Sequence, residues 1–210
     1  MAVGLPNGLS TILSGLTSTF SNQLLSLYGS GAIAAMGAAG RSSMLISMIQ
    51  MGICMGVSPL IAYNYGSQNV SRLKEILMKT AILTTIFGFA ATDICLIFRE
   101  PLVGLFLKDA ANIATAQNFL TWQLIASPLL GFYYLSSNYF QAAGSALRAT
   151  LISISGQGGL LLPCLYLLHS IMGLAGIGPA YLVSDLLAVV LAIIMILYHW
   201  NRMMHPKSAA

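Results

Sequence analysis

Long apolar stretches that contain no Asp, Glu, Lys or Arg dominate the chain. Four such stretches cover residues 1–40, 42–71, 110–147 and 149–184. Each exceeds the roughly 20 residues that an α-helix needs to cross a bilayer, and some are long enough for more than one crossing. The pattern therefore predicts an all-α, polytopic membrane protein, a single unit of six transmembrane helices. The predicted spans cover about residues 5–28, 42–63, 76–98, 116–140, 149–169 and 174–198.

Composition agrees with this interpretation and excludes an ordinary soluble domain. Hydrophobic residues make up 57% of the 210 residues, charged residues only 7%, and the mean hydropathy is +0.83. The formal charge of +4 comes from residues in short connections between spans. These residues form no stripe along one face, so no nucleic-acid partner is expected. The partner that composition predicts is the lipid bilayer.

The distribution of basic residues predicts how the spans are oriented. Six spans place both termini on one side of the membrane, and basic residues concentrate on the cytoplasmic side. The side of the termini carries Arg72, Lys74, Lys79, Arg148, Arg202 and Lys207. The opposite side carries Arg41, Arg99 and Lys108. Both termini are therefore expected in the cytoplasm, with the chain integral to the plasma (inner) membrane.

The second predicted span contains several structural signals. Gly52 and Gly56 form a small-xxx-small pair on which another helix can pack closely. Asn64 and Gly66 predict the end of this helix, just before the densest basic cluster of the chain. The small residues of 29–41 are interpreted as a connection that precedes the span.

Two predicted spans are too polar to face lipid on all sides. Span one repeats Ser, Thr and Asn residues at helical spacing, and span four combines polar and aromatic side chains around a predicted break at Ser127-Pro128. Such surfaces either form hydrogen bonds between helices or line a wet cavity. The sequence leaves both interpretations open.

Two carboxylates lie inside predicted spans, where a charge costs about 2.5–3.5 kcal/mol on insertion scales. Asp93 is about two turns from the end of span three, within reach of the interface or of Arg99. Asp185 is deeper and is the candidate for ion coupling, by protonation or by cation binding. The alternative for Asp185 is a structural hydrogen bond to Ser184, Tyr181 or a neighbouring helix, because we expect it to lie away from the polar walls of spans one and four.

The sequence offers no pattern of catalytic or metal-binding residues. Cys54, Cys95 and Cys164 stand alone in apolar segments, and the three histidines share no helical face at metal-ligand spacing. No Ser-His pair or metal cluster accompanies the carboxylates. We therefore expect no catalytic residue, no metal site and no cofactor, and the chain is not expected to be an enzyme.

Several short motifs follow one another in a fixed order. They are Gly-x-x-x-Gly-x-x-Pro-Leu-Ile-Ala-Tyr-Asn-Tyr-Gly at 52–66 with Ser67-Gln68-Asn69 behind it, Pro128-Leu129-Leu130-Gly131, Phe140-Gln141-Ala142, Gly173-Leu174-Ala175-Gly176-Ile177 and then Asp185. In this order and spacing the chain resembles the multidrug and toxic compound extrusion (MATE) transporters, specifically their C-terminal six-helix half. The resemblance covers about residues 4–198.

The resemblance implies a secondary active efflux antiporter, driven by a proton or sodium gradient, for amphipathic and often cationic small molecules. A complete member of the family has twelve helices in two six-helix lobes. This chain resembles one lobe, so a second six-helix lobe is the expected partner. We expect a fragment, a split gene product or a truncated reading frame; a half-transporter that pairs with a second copy of itself is the alternative.

Within such a lobe, polar side chains of spans one, two and four are the candidates for a substrate cavity. Their amide, hydroxyl and aromatic groups can hydrogen-bond to varied substrates or stack on them. The candidates are Ser14, Ser18, Asn22, Gln50, Gln123, Tyr134, Asn138 and Gln141. We expect broad specificity from such a lining.

The chain departs from the family in its charged positions. Many relatives carry an Arg before a Gln-Gly pair in span five, where this chain has Gly156 before Gln157-Gly158. Spans one and four contain no Asp or Glu, which places any further coupling carboxylate in the other lobe. Two alternatives to an efflux lobe stay open. One is a non-transporting remnant or interaction subunit; the other is a lipid-linked oligosaccharide flippase, which would favour a more cationic interior than Arg148 alone provides.

Overall fold

The computed structural model describes residues 4–204, with side chains described for residues 8–200, and these residues form helices joined by short turns. The helices are α1 (Gly4–Ser26), α2 (Ser30–Gly66), α3 (Val70–Ile97), α4 (Arg99–Gly104), α5 (Ala110–Ala142), α6 (Ala146–Ile154), α7 (Leu161–Met172) and α8 (Ile177–Met204). A π-helical turn at Ser155–Gly159 joins α6 to α7, and a 3₁₀ turn at Gly173–Gly176 joins α7 to α8. The all-α prediction is confirmed.

Each of the six predicted spans falls largely on helical residues. Among the described residues, three helical segments are long and apolar enough to cross a membrane: Ser30–Gly66, Val70–Ile97 and Ala146–Trp200. The last segment has 55 residues and contains α6, α7 and most of α8, which is more than one crossing requires. The number of six crossings stays a prediction.

The predicted connection before span two is wrong, because α2 already begins at Ser30. Ala35 and Ala39, in this first part of α2, are fully buried and belong to the same apolar cluster as Phe119 and Leu120 of α5. Small side chains allow two membrane helices to approach closely. The small residues here therefore serve helix packing.

The predicted packing face at Gly52 and Gly56 is wrong for the helices of this chain. Both glycines are exposed, and a Cβ added to either would meet no atom within 4 Å. The close approach lies instead between α3 and α5. A Cβ added to Gly88 would stand 2.7 Å from the Cα of Pro128, so only glycine fits this crossing.

A buried amide joins α2 to both helices at this crossing. Gln50 is fully buried, and its Nε2 donates to the carbonyl oxygen of Thr84 in α3 at 3.3 Å and to that of Ser127 in α5 at 3.1 Å. Hydrogen bonds between membrane helices contribute about 0.6–2 kcal/mol each. The Gln50 side chain therefore fixes the relative positions of three helices.

The predicted break at Ser127-Pro128 does not interrupt α5, which runs from Ala110 to Ala142. Pro128 has no N–H, so the carbonyl of Leu124, four residues earlier, has no intrahelical donor. The Thr92 hydroxyl of α3 donates to that carbonyl at 3.4 Å. The neighbouring helix thus supplies the hydrogen bond that the proline removes.

The prediction that α2 stops at Asn64 and Gly66 is confirmed, because Gly66 is the last residue of the helix. Helix α2 includes Gly66, and Gln68 adopts a left-handed backbone with φ +57°. The N–H of Asn69 donates to the carbonyl of Asn64, five residues earlier, at 3.0 Å, which is the 6→1 hydrogen bond of a Schellman motif. This turn leads directly into α3.

Two apolar clusters pack the bundle on either side of the polar crossing. The first uses the early parts of α2 and α5 together with α1, α7 and the start of α8. The second uses the later parts of α2 and α5 together with α3, α6 and the second half of α8. Helices α2, α5 and α8 each contribute residues to both clusters and therefore connect them.

Replacement of glycine by alanine should destabilise the chain at Gly88 but not at Gly52. Gly88→Ala forces a methyl group into the backbone of α5 and should lower the free energy of unfolding by about 1–3 kcal/mol, the usual cost of overpacking. Gly52→Ala adds its methyl group to open space and should leave stability unchanged. Thermal unfolding of the purified chain in detergent measures both. An equal loss for the two variants would contradict the crossing described here.

Candidate functional site

A cavity of about 570 Å³ lies between α1, α2, α5 and α8, beside the π-helical turn. Hydroxyl, amide and carboxylate groups share its wall with a few apolar side chains. The lining residues are Ser14, Thr17, Ser18, Ser21, Asn22, Ile33, Met36, Gly37, Gly40, Ser43, Ser47, Gln123, Ser127, Leu130, Tyr134, Gly156, Gln157, Leu161, Tyr181 and Asp185.

Five of the predicted cavity residues line this space: Ser14, Ser18, Asn22, Gln123 and Tyr134. Their role in binding a substrate stays a prediction. Three others do not line it: Gln50, Asn138 and Gln141.

The three amides outside the cavity are used in packing. Gln50 is buried in the helix crossing described above. Asn138 Nδ2 donates to the carbonyl of Tyr134, one turn earlier, at 2.9 Å. Gln141 Nε2 donates to Ser137 Oγ at 3.2 Å. Each of these amides therefore bonds within or between helices.

Helix α1 divides its polar residues between the cavity and helix packing. Ser14, Ser18 and Asn22, spaced by four residues, are exposed along the cavity wall. Ser21 also lines the cavity, but it is buried, and its hydroxyl lies 3.2 Å from the Tyr181 hydroxyl of α8. Both interpretations of the polar span therefore apply to α1.

Asp185 lines the same cavity, and the expectation that it lies away from the polar walls of spans one and four is wrong. Helix α8 packs along α5, and Tyr181, one turn before Asp185, contacts Ser21 of α1. These two contacts turn the Asp185 face of α8 toward α1 and α5. The periodicity of polar residues within one span predicts which side chains share a helical face. It does not predict which other helix packs against that face.

The Asp185 carboxylate is surrounded by tyrosines. It is half-buried and lies within electrostatic range of Tyr133, Tyr134 and Tyr181. Among residues 8–200 no Lys, Arg or His forms an ion pair with it. The cavity therefore contains an ionisable carboxyl group whose neighbours are hydroxyls and aromatic rings.

Sequence reasoning missed the wall that α2 contributes. Met36, Gly40, Ser43 and Ser47 line the cavity, and their spacing of four, three and four residues marks one helical face. That signal was hidden by treating the first part of α2 as a connection. Ser43 Oγ donates to Gln123 Oε1 at 2.7 Å, and Gln123 Nε2 lies 3.3 Å from Met36 Sδ. The amide of Gln123 is therefore held in one orientation at the wall.

The π-helical turn brings Gln157 to the cavity. Gly158 has φ +141°, which side-chain-bearing residues rarely adopt, and a Cβ there would collide with the Thr17 hydroxyl. A Cβ on Gly156 would collide with the ring of Tyr133. The two glycines thus let α1 and α5 approach the turn, and Gln157 is left exposed at the cavity wall.

Two buried polar atoms beside the cavity lack a hydrogen-bond partner among the described residues, Ser127 Oγ and Gln50 Oε1. Ser127 is among the residues that line the cavity, but its hydroxyl oxygen is buried. Within the searched part of the chain, no three His, Cys, Asp or Glu side chains are grouped as metal ligands. The arrangement provides binding through hydrogen bonds, aromatic rings and one negative charge.

Comparisons with known proteins agree on one family. The MatE family model matches residues 6–167. The multidrug export protein MepA of Staphylococcus saprophyticus is 32% identical to this chain, over 98% of the chain and 45% of the MepA length. MepA of Staphylococcus haemolyticus is 30% identical, over 99% of the chain and 45% of its own length. The chain thus spans about half the length of these relatives.

A solved structure shows the same fold. The Vibrio cholerae MATE transporter VcmN in its bent form superimposes with a TM-score of 0.88 at 22% identity, over 96% of this chain and 46% of VcmN. The long apolar helices and the family match together establish an integral membrane protein. The resemblance in the sequence motifs is confirmed: the chain belongs to the MatE family of membrane transporters.

Proposed function

We propose that this chain is the C-terminal six-helix lobe of a multidrug efflux antiporter in the plasma (inner) membrane, with both termini in the cytoplasm. The observation that carries the proposal is the polar cavity, which holds a carboxylate inside a bundle of bilayer-spanning length. The multidrug export names of relatives that match nearly the whole chain support the substrate class. The cytoplasmic location of the termini is inferred from the basic residues in the connections between spans.

Amphipathic, often cationic molecules are the proposed substrates. Asp185 supplies a negative charge without a basic partner among the described residues, and Tyr134 and Tyr181 supply aromatic surface for a cation. Met36 adds adaptable apolar surface. Serine hydroxyls on α1 and α2 can hydrogen-bond without demanding one shape, which favours broad specificity.

A proton or Na⁺ is the proposed coupling ion, with Asp185 as its binding group in this lobe. A carboxylate in a membrane cavity is costly when it is both charged and unpaired. Occupation by the ion and by a cationic substrate would neutralise the same group, so each would favour release of the other. That competition is the basis of antiport.

A second six-helix lobe is the proposed partner. A Cβ added to Gly52 or Gly56 would meet no atom of the described residues within 4 Å, so this exposed pair offers a close-packing surface for helices of another lobe. A flippase for lipid-linked oligosaccharides is less well supported, because no Lys or Arg of residues 8–200 lines the cavity. A non-transporting remnant is the rival that requires a test.

Cysteine labelling tests whether the cavity is wet. In a chain whose Cys54, Cys95 and Cys164 are replaced by Ala, Ser18→Cys and Asn22→Cys should react with a water-soluble maleimide at least ten times faster than Thr84→Cys. Thr84 is the control because it is fully buried. A lipophilic cation such as tetraphenylphosphonium should slow labelling at Ser18 and Asn22. Equal protection at all three positions would exclude a water-filled cavity.

Replacement of the cavity carboxylate tests coupling. In vesicles that contain this chain with a second lobe, Asp185→Asn should abolish drug transport driven by an imposed gradient, because neutral Asn cannot bind and release the ion. Separate proton and Na⁺ gradients identify the ion. Asp93→Asn is the matched control, since Asp93 is exposed outside the cavity, and should keep transport within twofold. Transport that survives in Asp185→Asn would refute this role.

Co-expression tests the need for a second lobe. Cells that express this chain alone should show no drug efflux above background, whereas cells that also express a complementary N-terminal MATE lobe should export the drug. Efflux by the chain alone at the same membrane level would favour a self-pairing half-transporter. Failure of both, with both lobes detected in the membrane, would favour a remnant.

A further inference from the structure

A groove of about 530 Å³ lies where α2 turns into α3, separate from the central cavity. Polar side chains form one part of its wall and two apolar side chains the other. The polar residues are Tyr63, Asn64, Ser67, Asn69 and Arg72, and the apolar residues are Leu60 and Ile76. Leu60 and Ile76 each lie one helical turn farther from the α2–α3 turn than Asn64 and Arg72, so the groove is polar at the turn and apolar toward the helices.

The position of the groove along α2 matches the headgroup level of a bilayer. From Ser42 to Gly66 the helix contains no charged residue. This part is about 37 Å long at 1.5 Å per residue, enough to cross the hydrocarbon core. Tyr63, 75% exposed, occupies a depth that Tyr favours in membrane proteins. The polar end of the groove therefore faces headgroups and the apolar end faces acyl chains.

Arg72 supplies the positive charge of the groove and forms no ion pair among residues 8–200. Arg72 is exposed, and the carboxylate on the same part of α3, Glu75, accepts a hydrogen bond from Lys79 Nζ at 2.6 Å. Within residues 8–200 this is the ion pair that the structure forms, so the Arg72 guanidinium keeps its charge and its donors for another partner. A guanidinium matches the geometry of a phosphate group with two parallel hydrogen bonds.

The wall of the groove is already in place before anything binds. Ser67 Oγ donates to the carbonyl of Asn64 at 3.3 Å, and Asn69 Oδ1 accepts from the backbone N–H of Arg72 at 3.1 Å. The Schellman turn at Gln68 fixes the backbone between these residues. A preformed site loses little conformational entropy on binding.

We propose that this groove binds the headgroup of an anionic phospholipid, with Arg72 on the phosphodiester and with Leu60 and Ile76 against the first carbons of the acyl chains. A lipid places its phosphate at the polar end of the groove and its acyl chains at the apolar end, whereas a soluble phosphate would leave the apolar end exposed. Basic pockets at the ends of transmembrane helices are a recognised class of lipid site. The inference goes beyond drug transport and does not depend on it.

Native mass spectrometry of the purified chain in a non-ionic detergent tests the proposal. Phosphatidylglycerol should bind to the unmodified chain, and Arg72→Gln should weaken binding about tenfold, because a charge-assisted contact is lost. Lys74→Gln is the matched control: it removes the same charge two residues away, outside the groove, and should change binding less than twofold. Arg72→Lys should give an intermediate affinity, since the positive charge remains but the two parallel hydrogen bonds of the guanidinium are lost.

Three results would overturn the lipid assignment. An equal loss in Arg72→Gln and Lys74→Gln would mean a general surface charge effect, and unchanged binding in Arg72→Gln would remove the groove from the interaction. Displacement of the lipid by glycerol phosphate at equal concentration would mean that the site takes a free phosphate. Misfolding does not obscure the comparison, because Arg72 is exposed and the variants can be matched by thermal unfolding.

Discussion

The close contact of α3 with α5 determines how the remaining helices are placed. It exists because Gly88 has no side chain at the point where the backbone of Pro128 passes. At that separation the Thr92 hydroxyl reaches the Leu124 carbonyl that the proline leaves without a donor. The Gln50 amide of α2 bonds to carbonyls on both helices at the same level. In a bilayer no water is available for these groups, so each hydrogen bond must come from a neighbouring helix.

Fixing this crossing also fixes which face of α5 meets the cavity. Leu124, Pro128 and Gly131 lie toward α3, since they contact Thr92, Gly88 and Thr84. Gln123, Ser127 and Leu130, each one position before these residues, line the cavity together with Tyr134. Adjacent residues in a helix are rotated by about 100°, so the packing face and the cavity face are set together. A change in the crossing would therefore rotate Gln123 and Tyr134 out of the cavity wall.

The sequence predicted the helical fold and much of the polar wall, but not the neighbours of each helix. Uncharged stretches indicate helices because a bilayer admits few other backbone structures, and Ser14, Ser18 and Asn22, named as cavity candidates, do line the cavity. The same small-residue signal was misread in two places: the first part of α2 packs on α5, while Gly52 and Gly56 face outward. Small residues indicate close approach without indicating the partner. Asp185 was misplaced because the sequence does not predict the long-range contact of Ser21 with Tyr181, which brings this part of α8 to α1.

The two proposed sites differ in charge and in their depth in the membrane. Basic residues such as Arg72 and Lys74 lie beyond the uncharged part of α2, where lipid phosphates are within reach. The lining of the central cavity has the opposite character: Asp185 lies among hydroxyls and aromatic rings, and no Lys or Arg of the described side chains lines it. An anionic substrate would therefore meet a repulsive cavity, and a cation would meet an attractive one.

Because the carboxylate is held in a membrane cavity, the occupant that neutralises it gains affinity from the same low-dielectric surroundings that make the empty, charged state costly. In the proposed antiporter, the exchange of one cation for another at Asp185 follows from that cost.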